Sequence, residues 1–360
     1  MRVVRVPVVL AGLMLLASCG TGTESPALID DEQPLQEVEY PVDDWKTAPV
    51  PDVVGGEAEL MSVSDPWFTG GAPDPGVMSV LVTHAGRVIF ERNAPEARTD
   101  TPVPSWSVAK SVLGAAVGVA VEKGIISLDD ASLNPAWPAG DPRSRITVAQ
   151  LLHMASGLEF NESWDPGEDA GRLLTHPAGA AAFAATKPLL SAPGTRFNYS
   201  SGDSALLAAH LSRRLGGEKL LELFVRDNVL APIGVTKVSF DLDAAGDWPG
   251  AVGLNMSARD YARFGLLFVR DGSWAGTQVI PSSWAEYSRT VGVAGSSYGA
   301  HWWMQTYPVF SADGLYGQLI VVDPSTTTVV VVTSRTGADF SSGAQLALRL
   351  TGTMSLTVAT

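Results

Sequence analysis

Strand-forming runs at opposite ends of the chain constrain its fold more than any other feature. Residues 77–84 and 87–92 are rich in β-branched side chains and are joined by Ala85-Gly86, which predicts a hairpin with a tight turn. Residues 318–322 and 327–333 make a second such pair about Asp323-Pro324, followed by an expected helix over 341–351. Between them, 129–299 reads mostly as helical segments separated by Pro and Gly clusters, among them 148–154, 205–215 and 257–269. Strands at both ends imply one antiparallel sheet with flanking helices, an α/β (α+β) fold whose two halves, 61–130 and 300–360, enclose a mostly helical insertion over 131–299. With 360 residues, 46% of them hydrophobic, the chain can bury a large core.

The N-terminal sixty residues differ in character. Arg2 and Arg5 precede an apolar stretch that ends Leu16-Ala17-Ser18-Cys19, so 1–18 reads as an export signal. Cys19 stands where a bacterial lipoprotein carries its lipid, which predicts anchoring to the outer face of a bacterial membrane. It is the only cysteine, so a disulfide framework within the chain is excluded. Residues 19–60 are rich in Pro, Asp and Glu without a sustained apolar period and read as a flexible tether, with a span of roughly 35 Å. Eleven of the chain's 38 acids lie between Gly20 and Leu60, against a single lysine there. No basic patch breaks the net charge of −14, so a nucleic-acid partner is not expected.

The chemistry centres on Ser107-Val108-Ala109-Lys110. Pro102 and Pro104 stop a helix from starting earlier, and an apolar run from Val108 to Lys123 closed by Gly124 predicts one beginning here. Three residues apart on a helix, the serine hydroxyl and the lysine amine share a face. At the helix N-terminus, backbone N–H groups and the macrodipole favour an oxyanion. A serine needs a base to take its proton, and Lys110 qualifies only if its pKa falls well below about 10.4. Tyr199, after the Pro193-Gly194 turn and before a helix, is a second candidate, expected to have its phenol pKa lowered beside a cationic Lys110.

The order Ser107-x-x-Lys110, then Leu151-Leu152-His153-Met154-Ala155-Ser156-Gly157-Leu158, then Pro193-Gly194-Thr195 leading to Tyr199-Ser200, then Gly314-Leu315-Tyr316-Gly317-Gln318 resembles the serine β-lactamase and penicillin-recognising superfamily. Within it the resemblance is to class C-like hydrolases, above all the branch of 6-aminohexanoate-dimer hydrolases and related carboxylesterases. The resemblance implies a β-lactamase/transpeptidase-like fold and no cofactor. It makes Ser107 the acylated nucleophile, Lys110 its base or proton relay, and Tyr199 the base that activates Ser107 or the deacylating water. The backbone N–H groups of Ser107 and Gln318 would form the oxyanion hole. Candidate cleft residues are Trp164, Asp165, Glu168 and Asp169 from an acidic, aromatic loop, with Ser201, Leu315, Tyr316 and Gly317.

Two departures bear on substrate. Tyr199-Ser200-Ser201 replaces Tyr-x-Asn, a form found among esterase-like members, and Leu315-Tyr316-Gly317 replaces Lys-Thr-Gly or His-Thr-Gly, removing the cation that engages a β-lactam or peptide carboxylate. Small esters or linear amides are therefore expected ahead of β-lactams or D-alanyl-D-alanine peptides. A fold member that binds cell-wall fragments without turnover is the alternative from another class. Gly295-Ser296-Ser297-Tyr298-Gly299 matches the Gly-x-Ser-x-Gly elbow, but no aspartate followed by a histidine lies downstream to complete a triad. The five histidines are scattered without metal-ligand spacing, so no metal is expected.

Overall fold

The computed structural model describes residues 38–51, 56–69, 76–338 and 340–355. The expected signal and Cys19 lie outside the described residues. Strands β1 (Val77–His84) and β2 (Arg87–Asn93) form the anticipated hairpin, turned at Ala85 and Gly86 with φ of 48° and 77°. A two-residue hairpin turn requires that left-handed backbone. Gly86 is also the residue the site allows, because the Glu39 carbonyl lies where its Cβ would be.

From the other end come β3 (Trp303–Met304), β4 (Phe310–Gly314), β5 (Gln318–Asp323) and β6 (Thr328–Ser334). The sheet order is β2-β1-β6-β5-β4-β3, antiparallel throughout, so the two ends of the chain meet where β1 pairs with β6. Its side chains alternate between two cores, as a period of two demands. Val80, Val332 and Leu319, in register, face one core with α1 (Gly56–Phe68) and α5 (Phe340–Ser355). Leu81, Val331 and Ile320, one residue on, face the other, which contains α2 (Val108–Glu122) and α4 (Ala258–Val269).

Helix α3 (Ser201–Leu215) begins four residues ahead of its expected start, because Ser200 caps it by accepting from the Asp203 N–H at 3.0 Å. This places Ser201 in the first turn, two residues after Tyr199. The middle of the chain also holds strands: Val103–Pro104, Leu254–Met256 and Ser239–Phe240 form a three-stranded ribbon, too short for any period to reveal.

The tether expected over 19–60 does not extend to residue 60. Val38, Trp45 and Val50 are buried, and residues 46–48 bond to the edge strand β2 through Val88 N–H to the Lys46 carbonyl and Ala48 N–H to the Val88 carbonyl, both 2.9 Å. Arg259 ties the segment down, reaching Asp44 at 3.2 Å and Glu91 at 2.8 Å. Residues 57–60, with Leu60 fully buried, belong to α1. Three anchoring side chains spread over thirteen residues create no periodic signal, yet they cover a strand edge that would otherwise be left open. No helix among the described residues is long and apolar enough to cross a membrane.

Candidate active site

Ser105, Trp106 and Ser107 enter α2 through a tight turn. The N–H groups of Val108, Ala109 and Lys110 bond to the carbonyls of Ser105, Trp106 and Ser107, three residues back, at 3.0–3.2 Å, and the Ser107 N–H sits one residue ahead of them. Trp106 carries a φ of 46°, a conformation unfavourable for a bulky side chain, immediately before the candidate nucleophile. Ser107 is 9% exposed and Lys110 1%.

The Lys110 amine has three close partners: Ser107 Oγ at 2.9 Å, Ser201 Oγ at 3.0 Å and the Ala251 carbonyl at 3.1 Å. Burial pulls its pKa down to about 8, against the opposing pull of Glu162. The serine and lysine therefore meet as the sequence spacing implied, with the amine in the range a base needs.

Glu162 was not legible in the sequence. Its carboxylate, with 22% of the side chain exposed, lies 4.0 Å from Lys110 Nζ. It accepts from Ser201 twice, from Oγ–H at 2.5 Å and from N–H at 2.7 Å. Burial raises its pKa, and Lys110 and then Ser201 act against that. Glu162 follows Glu159-Phe160-Asn161 in a loop with no spacing to Ser201 that a motif could capture.

Tyr199 overturns one expectation. Lys110 Nζ sits over its ring face, 5.0 Å from the centroid, rather than beside its hydroxyl. Burial first, then Glu162 and Asp313, raise the phenol pKa far beyond its ordinary value; a hydrogen bond with Ser107 works the other way and loses. The phenol is therefore protonated at neutral pH. Its ring stacks on Trp303 at 5.1 Å and meets Tyr298 edge-on at 5.6 Å.

Gln318 comes to the site at the start of β5, paired with Gly314 across the β4–β5 turn. Gly314 packs so closely on the α2 entry that a Cβ would lie 2.5 Å from the Ser105 carbonyl, so a glycine is required to bring the two backbones together. The Gln318 side chain is occupied with the Ser334 backbone, donating to its carbonyl at 2.6 Å and accepting from its N–H at 3.1 Å. Leu315 and Tyr316 are half-buried in the turn and Gly317 is buried. Tyr316, with φ of 63°, meets the Trp106 ring edge-on at 5.1 Å.

Of the acidic loop, Trp164 joins the site, packing edge-on to Trp106 at 5.4 Å. The carboxylates stay in their own loop. Glu168 accepts from the Asn161 side chain at 2.8 Å and Asp169 from the Asn161 N–H at 3.0 Å, with Lys187 also on Asp169, while Asp165 is an exposed turn residue. His153 bonds to the Tyr287 hydroxyl at 3.0 Å. Around Gly295–Gly299 there is no strand before and no helix after Ser297, so the elbow geometry is not formed.

Beneath the site, His301 donates from Nδ1 to the Lys110 carbonyl at 2.8 Å, with its Nε2 3.2 Å from Ser204 Oγ. Burial and then Lys110 lower its pKa to about 3, so it is neutral. Asp203 accepts from Ser156 Oγ at 2.7 Å, and burial pushes its pKa up to about 7. Among the described residues no group of side chains is arranged to hold a metal ion.

A protein-family model described as beta-lactamase matches residues 73–351. A 6-aminohexanoate-dimer hydrolase of Paenarthrobacter ureafaciens is 27% identical over 264 residues, 62% of this chain and 64% of that relative, so the match spans less than two thirds of the relative's length. A Bacillus anthracis protein provisionally assigned as a 6-aminohexanoate-dimer hydrolase superposes with a TM-score of 0.68 at 22% identity, covering 89% of this chain and 88% of its own. EstCE1, described as a hydrolase with promiscuous acyltransferase activity, superposes with a TM-score of 0.64 at 18% identity, covering 80% and 97%. At these identities the solved structures show the fold, which is β-lactamase/transpeptidase-like.

Proposed function

The chain belongs to the beta-lactamase family and has that family's serine hydrolase fold, and from that premise we propose that it is a hydrolase that cleaves small esters or linear amides through an acyl-enzyme on Ser107. The observation that carries the reading is the Lys110 amine, 2.9 Å from Ser107 Oγ with its pKa pulled to about 8 by burial. The neutral amine takes the Ser107 proton as Oγ bonds to the substrate carbonyl carbon and the C=O electron pair moves to oxygen. The N–H groups of Ser107 and Gln318 receive that oxyanion. Its collapse re-forms the carbonyl and expels the alcohol or amine, which takes the proton held by the Lys110 ammonium and leaves that amine neutral. Water then repeats the attack on the ester, its proton passing to Lys110, and Ser107 leaves protonated.

A protonated Tyr199 suits a hydrogen-bond donor to the leaving group better than a resting base. Because neutral Lys110 is the acceptor, kcat/KM should rise with pH through about 8. Leu315, in the place of a cation, favours esters and linear amides over β-lactams. The 6-aminohexanoate-dimer relative supports an amide among the substrates.

Assays with p-nitrophenyl butyrate, 6-aminohexanoate dimer and nitrocefin test the proposal, with the ester or the dimer expected to be turned over faster than nitrocefin. Faster nitrocefin hydrolysis favours a β-lactamase or D-alanyl-D-alanine peptidase instead. No turnover together with no fluorophosphonate label on Ser107 favours a cell-wall-binding protein. We propose further that the protein is exported and lipid-anchored through Cys19, a reading supported by the Leu16-Ala17-Ser18-Cys19 segment after a charged and apolar start. Two or more acyl chains are needed for stable anchoring, so intact mass should show cleavage before Cys19 with added diacylglycerol. A soluble product cleaved elsewhere overturns it.

A further inference from the structure

A neutral amine has two N–H donors and one lone pair, and the catalytic reading requires that lone pair to face Ser107. The three partners of Lys110 differ in what they can give. The Ala251 carbonyl only accepts. Ser201 has a hydroxyl hydrogen, but that hydrogen is committed to Glu162 at 2.5 Å, so toward Lys110 the Ser201 oxygen also only accepts. Ser107 is the remaining neighbour, and it alone has a hydrogen to offer the amine. The two N–H groups thus go to Ala251 and Ser201, and the lone pair is left on Ser107.

We propose that Glu162 is a positioning residue for the Ser107–Lys110 pair, acting through the Ser201 hydroxyl to aim the lysine lone pair at Ser107 and holding the charge the amine gains. The inference rests on the acyl-enzyme reading above. Glu162 is itself pinned, one carboxylate oxygen on the Ser201 N–H at 2.7 Å and the other on its hydroxyl, so the hydroxyl rotor has a single setting. When Lys110 takes the serine proton, bonding Nζ to hydrogen as Ser107 Oγ bonds to the acyl carbon, the ammonium has three donors for the same three oxygens. The carboxylate 4.0 Å away then faces a full positive charge.

The other groups around the amine do not do this. Tyr199 presents its ring face, and His301 is neutral and bonds the Lys110 carbonyl rather than the amine. Asp203 accepts from Ser156 and has its own pKa raised by Glu162, Asp313 raises that of Tyr199, and among the described residues neither is hydrogen-bonded to Lys110. The Tyr-x-Asn pattern of relatives is replaced here by Tyr199-Ser200-Ser201, and Ser201 needs an external acceptor to be set as an acceptor toward lysine. Glu162 supplies it.

Glu162→Gln and Ser201→Ala, made in the whole chain, separate orientation from charge. The readouts are the pH dependence of fluorophosphonate labelling at Ser107 and the titration of Lys110 by 13Cε NMR, neither of which requires a known substrate. In Glu162→Gln the amide oxygen can accept only one of Ser201's two donors, and the charge is gone. The labelling plateau should fall about ten- to a hundred-fold, and the acid limb and the Lys110 titration should both move down by on the order of one pH unit. In Ser201→Ala the carboxylate remains, so the plateau should fall comparably while neither limb nor titration moves down. A Glu162→Gln plateau within about twofold of wild type, or the same direction of shift in both variants, overturns the proposal. Should Glu162→Gln fail to fold, Ser201→Ala decides by itself: a wild-type plateau, or a downward titration, overturns it. Wild-type protein that labels and titrates as described but hydrolyses no ester or amide defeats the hydrolase reading and leaves the positioning of Lys110 standing.

Discussion

The two cores on either side of the sheet bury their side chains for opposite reasons. Under α1 and α5, Val80, Val82, Leu319, Val321, Val330 and Val332 form an apolar cluster with Leu60, Trp67 and Leu346, with the Arg349 guanidinium over the Trp67 ring. Across the sheet, α2 is as deeply buried, yet its first turn holds Ser107 and Lys110 against Glu162 and Ser201, with Asp203 and His301 close by. The first core gains stability from every side chain it hides. The second spends stability to hold an amine where water would protonate it, and the apolar remainder of α2, from Val112 to Ala120, secures that arrangement.

The largest expected effect lies in the polar core and on activity alone. Ser107→Ala should lose turnover on p-nitrophenyl butyrate by on the order of 10⁴-fold or more, because the members of a nucleophile-and-base unit are non-additive. Its melting temperature should stay close to wild type, since one hydroxyl at a cleft supports no packing. Residual turnover within tenfold of wild type, or fluorophosphonate label on Ser297, would remove Ser107 from the mechanism.

In the apolar core the effect should fall on stability alone. Leu60 is fully buried between α1 and the sheet, so Leu60→Ala should cost about 2–5 kcal/mol in a urea titration, with kcat of the folded protein unchanged. A loss below about 0.5 kcal/mol would mean that α1 does not pack as described and that the tether reading of residues 57–60 was right.

The two cores also differ in how far the sequence reveals them. The hairpin at Ala85-Gly86, the β5–β6 pair and helix α2 follow from periods of two and 3.6 over long apolar runs, and their edges fall within a few residues of expectation. Ser107 and Lys110 are legible because three residues on a helix is itself a distance. Glu162 and Ser201 lie 39 residues apart and meet only after α3 and the preceding loop have packed. Tyr199 is legible as a residue but not as a group: whether lysine meets its hydroxyl or its ring face is a matter of orientation, which no spacing carries. Trp45 leaves no such trace, because anchors scattered through an acidic segment have no period.

Exchanging character between the cores sharpens the contrast. Lys110 titrates near 8 in the folded chain and at about 10.5 when unfolded, so the folded state disfavours the proton. The penalty is fully present below pH 8 and fades as pH rises toward 10.5. Lys110→Met should remove it and raise stability at pH 7 by about 1–3 kcal/mol, the upper end limited by the lost bonds to Ser201 and Ala251. The gain should shrink as pH rises toward 10.5. Urea midpoints at pH 7 and 9.5 measure this, and a destabilised variant at both would show that the amine is stabilising rather than costly.

The smallest expected effect concerns substrate choice at the rim, where neither core rules. Leu315 is half-buried in the turn between β4 and β5, beside Tyr316 and one turn from the Gln318 backbone, and no Lys, Arg or His occurs from Gly314 to Gln318. A cation there would meet a β-lactam carboxylate, and a charge-assisted bond of that kind contributes about 1.5–3 kcal/mol. Leu315→Lys should therefore raise nitrocefin turnover relative to p-nitrophenyl butyrate by about tenfold, the low end because the turn is open to solvent and its charge screened. Since the substitution leaves Ser107, Lys110 and Glu162 in place, the acid limb of the ester profile should remain near pH 8. If the ratio does not rise while ester turnover is kept, the turn does not face the substrate carboxylate, and specificity must be sought instead in the Trp164 and Tyr316 rings packed on Trp106, the residue before the serine.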